Sequence, residues 1–199
     1  MSEVRKDNKP TPKITPAEFL SEQKKTKPKI ESVVNEHLCG VIKDNALDFI
    51  TYLRENKMNP NHAGMLNAWK VTYKGRTLCY IRLFYDDMKA WSPHDNDTWV
   101  VSLYLEHLNR YEDTLINENM QNVLWDNIRG YCTDGCPSTK EKYRPCFPGV
   151  NITLLGKEFK RVCACYPHIW IWDPDKAMIK NIKRLLELEK QARIENSTK

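Results

Sequence analysis

The sequence predicts an α+β fold in which an antiparallel sheet is flanked by helices. Three observations favour this class. Apolar residues recur at helical spacing near both ends of the chain. In strand-length segments between positions 68 and 105, apolar residues instead recur at every second position. Glycine or proline separates the segments. With 199 residues, of which 41% are hydrophobic, the chain is long enough to bury one sizeable core.

Apolar spacing predicts three helices in the first part of the chain, over residues 16–25, 30–39 and 45–56. Thr15 is suited to the N-cap of the first helix, and Pro16 follows it at the first helical position. Gly40 is typical of the residue that ends a helix, and Asp44 is suited to cap the third one. Cys39 lies on the apolar face of the second helix, which predicts a core position.

The spacing of apolar residues then changes from the helical period of 3.6 residues to the strand period of 2 residues. This change predicts strands over residues 68–73, 77–84 and 98–105. Lys74 and Gly75 separate the first two strands and predict a tight hairpin turn. On the second strand, Tyr80 and Arg82 project to one side and Cys79 to the other.

The second half of the chain mixes helices and short strands. A helix is predicted over residues 106–129, with an interruption near 117–119, and the long final helix spans 174–192. Asp173-Pro174-Asp175 is a typical start for that helix. Short strands are predicted over residues 151–155, 158–165 and 169–172, the first two joined by a turn at Gly156-Lys157.

Charge divides the chain into basic ends and a mildly acidic body, within a net charge of +5. Residues 1–29 carry +4, residues 30–175 carry −3 and residues 176–199 carry +4. We therefore interpret residues 1–29 as a basic tail with a short helix, and residues 30–199 as a single α+β domain. The acidic body argues against nucleic acid as a partner, because nucleic-acid binders usually carry a basic stripe on a folded face.

The sequence has no run of about 18 apolar residues that would predict a membrane span, and its first residues lack the apolar region of a signal peptide. We therefore expect a cytoplasmic protein without membrane association. In a reducing compartment, clustered cysteines favour metal binding or redox chemistry over structural disulfides.

The Cys-rich segment, residues 130–168, holds five of the seven cysteines and is rich in proline. Thiolates on short, turn-rich loops are the usual ligands of a structural zinc ion. The spacing therefore predicts a zinc site formed by Cys132, Cys136, Cys146 and Cys163. Cys165 or His168 remains an alternative for one of these ligands. Four sulfurs leave no open position for water, so this site predicts no hydrolysis.

Two other interpretations of the Cys-rich segment remain open. Cys163 and Cys165 are two residues apart on a predicted strand, so both side chains leave the same face and form a candidate redox dithiol. A zinc knuckle combined with basic tails would instead indicate a nucleic-acid accessory protein, with an affinity that falls steeply as salt rises.

Aromatic residues suggest a ligand site elsewhere in the chain. Six tryptophans are more than a core of this size needs, and aromatic walls with a few polar groups form pockets for small molecules or peptides. We predict a site lined by Trp69, Tyr80, Arg82 and Trp91. Trp91, in a polar loop, would be its lid or interface anchor. His62, His94 and His107 are interpreted as surface side chains.

The favoured function is therefore a non-enzymatic protein that binds an unknown small molecule or protein partner. Nucleophile-elbow, P-loop, dinucleotide-binding and zinc-protease motifs are absent from the sequence. The alternatives are a thiol-based redox protein or enzyme and the nucleic-acid accessory protein described above.

Two stretches of the chain resemble known proteins. Cys146-x-Pro148-Gly149, Gly156-Lys157-Glu158-Phe159 and Asp173-Pro174-Asp175 are similar to the tail of small uncharacterised bacterial cytosolic proteins with a Cys-rich C-terminal segment. This resemblance covers about residues 130–190, implies no reaction, and supports the same four zinc ligands. Residues 69–105 more faintly resemble the YdhG/YjbR-like α+β domains, which also imply no reaction.

Overall fold

The computed structural model describes residues 15–84, 98–128, 149–162 and 169–196. Its helices and antiparallel strands confirm the predicted α+β class. Three helices come first in the chain: α1 (Pro16–Thr26), α2 (Ile30–His37) and α3 (Gly40–Glu55). Thr15 caps α1 as predicted, because its hydroxyl accepts a hydrogen bond from the Glu18 backbone N–H.

The third helix begins earlier than the sequence predicts. Gly40 is the first residue of α3, with a φ of +57°, and does not end α2. Glycine tolerates this left-handed conformation, so a link of only two residues joins α2 to α3. Asp44 therefore lies inside α3 and does not cap it. Cys39 occupies the N-cap position and is exposed, which corrects its predicted core position.

Five antiparallel strands form the main sheet. Their spatial order is β1 (Pro60–His62), β2 (Ala68–Tyr73), β3 (Arg76–Leu83), β4 (Trp99–Leu103) and β7 (Ile169–Trp172). The predicted turn between β2 and β3 is confirmed, since Lys74 and Gly75 both have positive φ.

A separate hairpin consists of β5 (Val150–Leu154) and β6 (Lys157–Val162). Its turn residues are Leu155 and Gly156, both with positive φ, one position before the predicted turn. Gly149 precedes this hairpin with a φ of +77°, and a Cβ there would lie 2.9 Å from the carbonyl oxygen of Val162. Backbone conformation and close approach therefore both require glycine at this position.

Short helices replace the single helix predicted after β4. They are a 3-10 turn (Leu108–Arg110), α4 (Glu112–Asn117) and α5 (Gln121–Trp125), and the predicted interruption is confirmed at Asn119, where φ is +56°. The final helix is α6 (Lys176–Asn196). Asp175 caps it, because Oδ1 accepts a hydrogen bond of 2.7 Å from the Met178 backbone N–H. No helix in the described ranges has an apolar stretch sufficient to cross a bilayer.

One face of the main sheet packs on the helices, as the sequence predicts. Buried residues of α2, α3 and α6 belong to the same core as the residues of this helix face, and the rings of Phe49 and Trp99 lie 6.3 Å apart. The helix face consists of Trp69, Val71, Cys79, Ile81, Leu83, Trp99, Val101, Leu103, Ile169 and Ile171. Strand alternation therefore assigns the residues that alternate with these, among them Lys70, Tyr80, Ser102 and Trp170, to the opposite face.

A buried polar network attaches α1 to the sheet. Gln23 accepts a hydrogen bond of 2.9 Å from the backbone N–H of Asn67, and its amide nitrogen donates to the side-chain oxygen of Asn67. His62 Nε2 lies 3.4 Å from Gln23 Oε1, while its Nδ1 accepts from the Gly64 backbone N–H at 3.3 Å. Because Nδ1 is the acceptor, this network favours a neutral ring with its proton on Nε2. Desolvation, and then the charge of Lys27, lower the pKa of His62.

Candidate functional site

The candidate site is the face of the main sheet opposite the helix face. The strand register sets two rows of neighbouring residues across it. The first row is Lys70, Tyr80, Ser102 and Trp170, and the second is Ala68, Arg82, Val100 and Trp172. We call these eight residues, together with Phe84 and Tyr104 at the adjoining strand ends, the aromatic face.

The rings of the aromatic face form two groups. Tyr80 and Tyr104 have their centroids 5.7 Å apart, with an angle of 52° between the ring planes. Trp172 lies 6.0 Å from Trp170 and 5.4 Å from Phe84, again in tilted arrangements. Such tilted pairs are attractive, so each ring helps to hold its neighbour in place.

Strand β4, which lies between β3 and β7, contributes only small side chains to this face. Val100 and Ser102 lie in register between the large side chains of β3 and β7. Val100 is 1% exposed and Ser102 is 6% exposed, whereas the flanking Tyr80, Trp170 and Trp172 are half-buried. A ligand on this face would therefore contact the accessible parts of the rings and not the floor between them.

The charged side chains in the two rows of this face are cations, Lys70 and Arg82, and both are half-buried. Lys70 pairs directly with Tyr80, which brings their Cβ atoms to about 5 Å. Burial, and then the neighbouring Tyr80, raise the pKa of Tyr104, so its hydroxyl keeps its proton at neutral pH. These groups place positive charge beside neutral aromatic rings.

The structure brings together two of the four predicted ligand-binding residues. Tyr80 and Arg82 share the aromatic face, but Trp69 pairs with Ile81 and lies on the helix face, where it is 0% exposed. Its indole N–H donates to the carbonyl oxygen of Pro28 at 2.9 Å. The structure therefore does not place Trp69 on the same face as Tyr80 and Arg82, because neighbouring residues along a strand project to opposite faces of the sheet. Trp91 lies outside the described residues.

The predicted zinc ligands also lie outside the described residues: Cys132, Cys136, Cys146 and Cys163, with the alternatives Cys165 and His168. The zinc site therefore stays a prediction. Cys79 lies within the described ranges and is fully buried in the core, as the sequence predicts. Burial raises the pKa of its thiol, which keeps the sulfur protonated and unreactive.

A second cluster of polar side chains is buried against α6. Glu189 is 0% exposed, and its Oε1 accepts from Arg193 Nε at 2.7 Å and lies 2.9 Å from His107 Nδ1. Its Oε2 accepts from the Tyr111 hydroxyl at 2.9 Å and from the backbone N–H of His107 at 3.1 Å. His107 is thus an internal side chain and not a surface one. The only sequence signal for this cluster is the spacing of Glu189 and Arg193, four residues apart within an amphipathic helix.

Three residues of this cluster have metal-binding atoms within 4.8 Å of one another: Glu106, His107 and Glu189. Arg193 already supplies the positive charge there, and its Nη2 donates to backbone carbonyl oxygens at 3.0 and 3.3 Å. A divalent cation would have to share the Glu189 carboxylate with this anchored guanidinium, and the two cations would repel each other. We therefore interpret the cluster as a buried ion pair that joins α6 to the chain after β4.

A groove of about 540 Å³ lies beside α6, where Tyr52 and Arg184 are among its lining residues. Lys183 forms an ion pair of 2.7 Å with Asp48, and Arg184 donates to Glu118 at 2.9 Å. Lys183 and Arg184 are therefore already paired with carboxylates.

No family model, curated protein or solved structure matches the chain in comparisons with known proteins. The resemblances drawn from the sequence therefore stay predictions.

Proposed function

We propose that this protein binds a small ligand with a planar ring on its aromatic face, without catalysing a reaction. The observation that supports this proposal is the pair of half-buried ring groups on the side of the sheet away from the helical core. Rings held in tilted pairs have little side-chain freedom left to lose, so more of the contact energy becomes affinity. Tyr80 and Arg82 are the site residues that the sequence also predicts.

The expected affinity follows from the area that such a ligand can cover. A bicyclic ring that removes about 350 Å² of apolar surface from water gains about 9 kcal/mol. Association costs at least about 4 kcal/mol in lost translational and rotational freedom. An uncharged ring should therefore bind with a dissociation constant of about 0.1–1 mM.

N-phenyl-1-naphthylamine, an uncharged dye that fluoresces in apolar surroundings, tests the proposal. Trp170→Leu and Tyr80→Leu should each reduce the initial slope of its fluorescence titration several-fold, because each removes a ring from one group. Trp125→Leu is the matched control, since Trp125 is half-buried and contacts the β5–β6 hairpin through Leu154. Thermal unfolding confirms that each variant is folded. Slopes that stay unchanged in both face variants, or fall equally in the control, would refute a ligand site on this face.

The proposal also includes a structural zinc ion bound by Cys132, Cys136, Cys146 and Cys163, on the sequence argument alone. Elemental analysis of protein purified without added metal, with a thiol count before and after denaturation, tests it. One zinc ion per chain with four protected thiols supports the site. Fast alkylation without a chelator contradicts it and favours the dithiol of Cys163 and Cys165.

The sequence further supports a cytoplasmic location, with a small molecule or protein as the partner and neither nucleic acid nor membrane. Fractionation of cells that express the full chain tests the location. Recovery with the membrane pellet in low salt would contradict it.

A further inference from the structure

We infer that the ligand of the aromatic face is an anion, a planar ring that carries a carboxylate, sulfonate or similar group, and that Lys70 binds this group. The inference rests on the proposed function, since it names the chemistry of the ligand for the same face.

The strand register places Lys70 beside one ring group. Lys70 and Tyr80 are direct partners in the β2–β3 pairing, and Tyr104 lies 5.7 Å beyond Tyr80. A lysine side chain is long enough to extend past the ring of a directly paired neighbour. A planar ligand that contacts the two tyrosines would therefore bring an attached anionic group within reach of Lys70.

Lys70 brings a positive charge to this face. Lys70 forms no ion pair with any described residue, and the two rows contain no acidic side chain at their described positions. An anionic ligand would complement this charge, whereas a cationic ring would be repelled.

Lys74 provides a comparison on the same hairpin. Its ammonium lies 6.0 Å from the centroid of the Tyr73 ring, at the turn and away from the two rows of the aromatic face. Neutralising Lys74 changes the net charge of the protein as much as neutralising Lys70 does. A comparison of the two variants therefore separates a local contact from a general effect of protein charge.

The test compares two dyes that share the same rings. 8-Anilinonaphthalene-1-sulfonate carries a sulfonate, and N-phenyl-1-naphthylamine lacks it. In the unsubstituted chain we expect the sulfonate dye to bind about fivefold more tightly, which is the range of an ion pair that stays partly exposed to water. Lys70→Gln should abolish this preference, Lys70→Arg should retain it, and Lys74→Gln should leave it intact. Raising the salt concentration from 0.05 to 0.5 M should reduce it.

The outcomes separate this inference from the function on which it rests. If the uncharged dye binds the aromatic face but the sulfonate dye binds no better, the anionic ligand is refuted and the ring site stands. If Lys70→Gln keeps the preference for the sulfonate dye, the assignment of Lys70 as the group that binds the anion is refuted. If the preference falls equally in Lys74→Gln, the effect is one of net charge and Lys70 is not the partner. If neither dye binds, the proposed function fails and the anionic ligand with it. Unchanged binding of the uncharged dye to Lys70→Gln shows that this variant is folded.

Discussion

Replacing Glu189 with Gln should destabilise the protein strongly although the side chain keeps its size and shape. The carboxylate accepts hydrogen bonds from Arg193 and Tyr111 and lies 2.9 Å from His107 Nδ1, with no surface exposed. Glutamine preserves the shape but removes the negative charge and turns one acceptor oxygen into a donor. The Arg193 guanidinium, only 5% exposed, then keeps its charge in the interior without the partner at 2.7 Å.

The size of the effect follows from the contacts that remain. Removing one partner of a buried ion pair costs about 3–5 kcal/mol. Arg193 would retain two backbone carbonyl oxygens and Glu106 at 3.6 Å, so we expect the lower end, about 3 kcal/mol. For a chain of this length, that change lowers the melting temperature by about 10 °C.

Urea unfolding followed by circular dichroism measures this free energy directly. Glu118→Gln is the matched control, because Glu118 also pairs with an arginine, Arg184, but both side chains are 35% exposed. We expect this control to cost less than about 1 kcal/mol. The double variant Glu189→Gln/Arg193→Met should lose less stability than the two single variants together, since it removes both charges.

A cost below about 1 kcal/mol for Glu189→Gln, equal to that of the exposed control, would refute the interpretation as a buried ion pair. If the losses of unfolding free energy in the two single variants add up to the loss in the double variant, Glu189 and Arg193 do not act as a unit.

Three further predictions concern other parts of the fold. Acidification should weaken the attachment of α1. Desolvation by burial, and then the charge of Lys27, lower the pKa of His62, so this contribution to stability is complete above the unperturbed value of 6.5 and is lost as the pH falls through and below it. Hydrogen exchange of α1 amides, corrected for intrinsic rates, should accelerate between pH 7 and 5 in the wild type but not in His62→Gln; equal acceleration in both would exclude His62 as the cause. Gly149→Ala should lower the free energy of unfolding, measured in urea, by at least about 1–2 kcal/mol, because the positive φ at this position disfavours a side chain. An unchanged free energy of unfolding would contradict this. Asp173→Ala should lower the free energy of unfolding by about 1.5–3 kcal/mol, because the Asp173 carboxylate accepts hydrogen bonds from the backbone N–H and the hydroxyl of Thr98. The control Asp175→Ala removes only the cap of α6 and should lower it by about 1 kcal/mol. An equal loss in both variants would argue against the Asp173 contact.

Local signals predicted most of the secondary structure. Lys74-Gly75 and Asp175 mark a turn and a helix start through chemistry that acts within a few residues, and the structure confirms both. The error at Gly40 has the same local origin, because glycine at positive φ is compatible with the end of one helix and with the link into the next.

The candidate site was only partly predictable. Alternation shows that Tyr80 and Arg82 share one side of their strand, but relating Trp69 to them requires the pairing register of β2 with β3. A shift of one residue in that register would exchange the two faces of a strand. The sequence alone therefore could not assign Trp69 to the helical core.

The sequence by itself determined the α+β class, the alternating strands and the turns, because these depend on side-chain period and on backbone preferences of neighbouring residues. Only the tertiary structure decided that Gln23 contacts Asn67, 44 residues away, and that His107 contacts Glu189, 82 residues away. Such contacts form where separate elements pack against each other. The buried polar groups must then find partners within the fold, and no local pattern indicates which partners those will be.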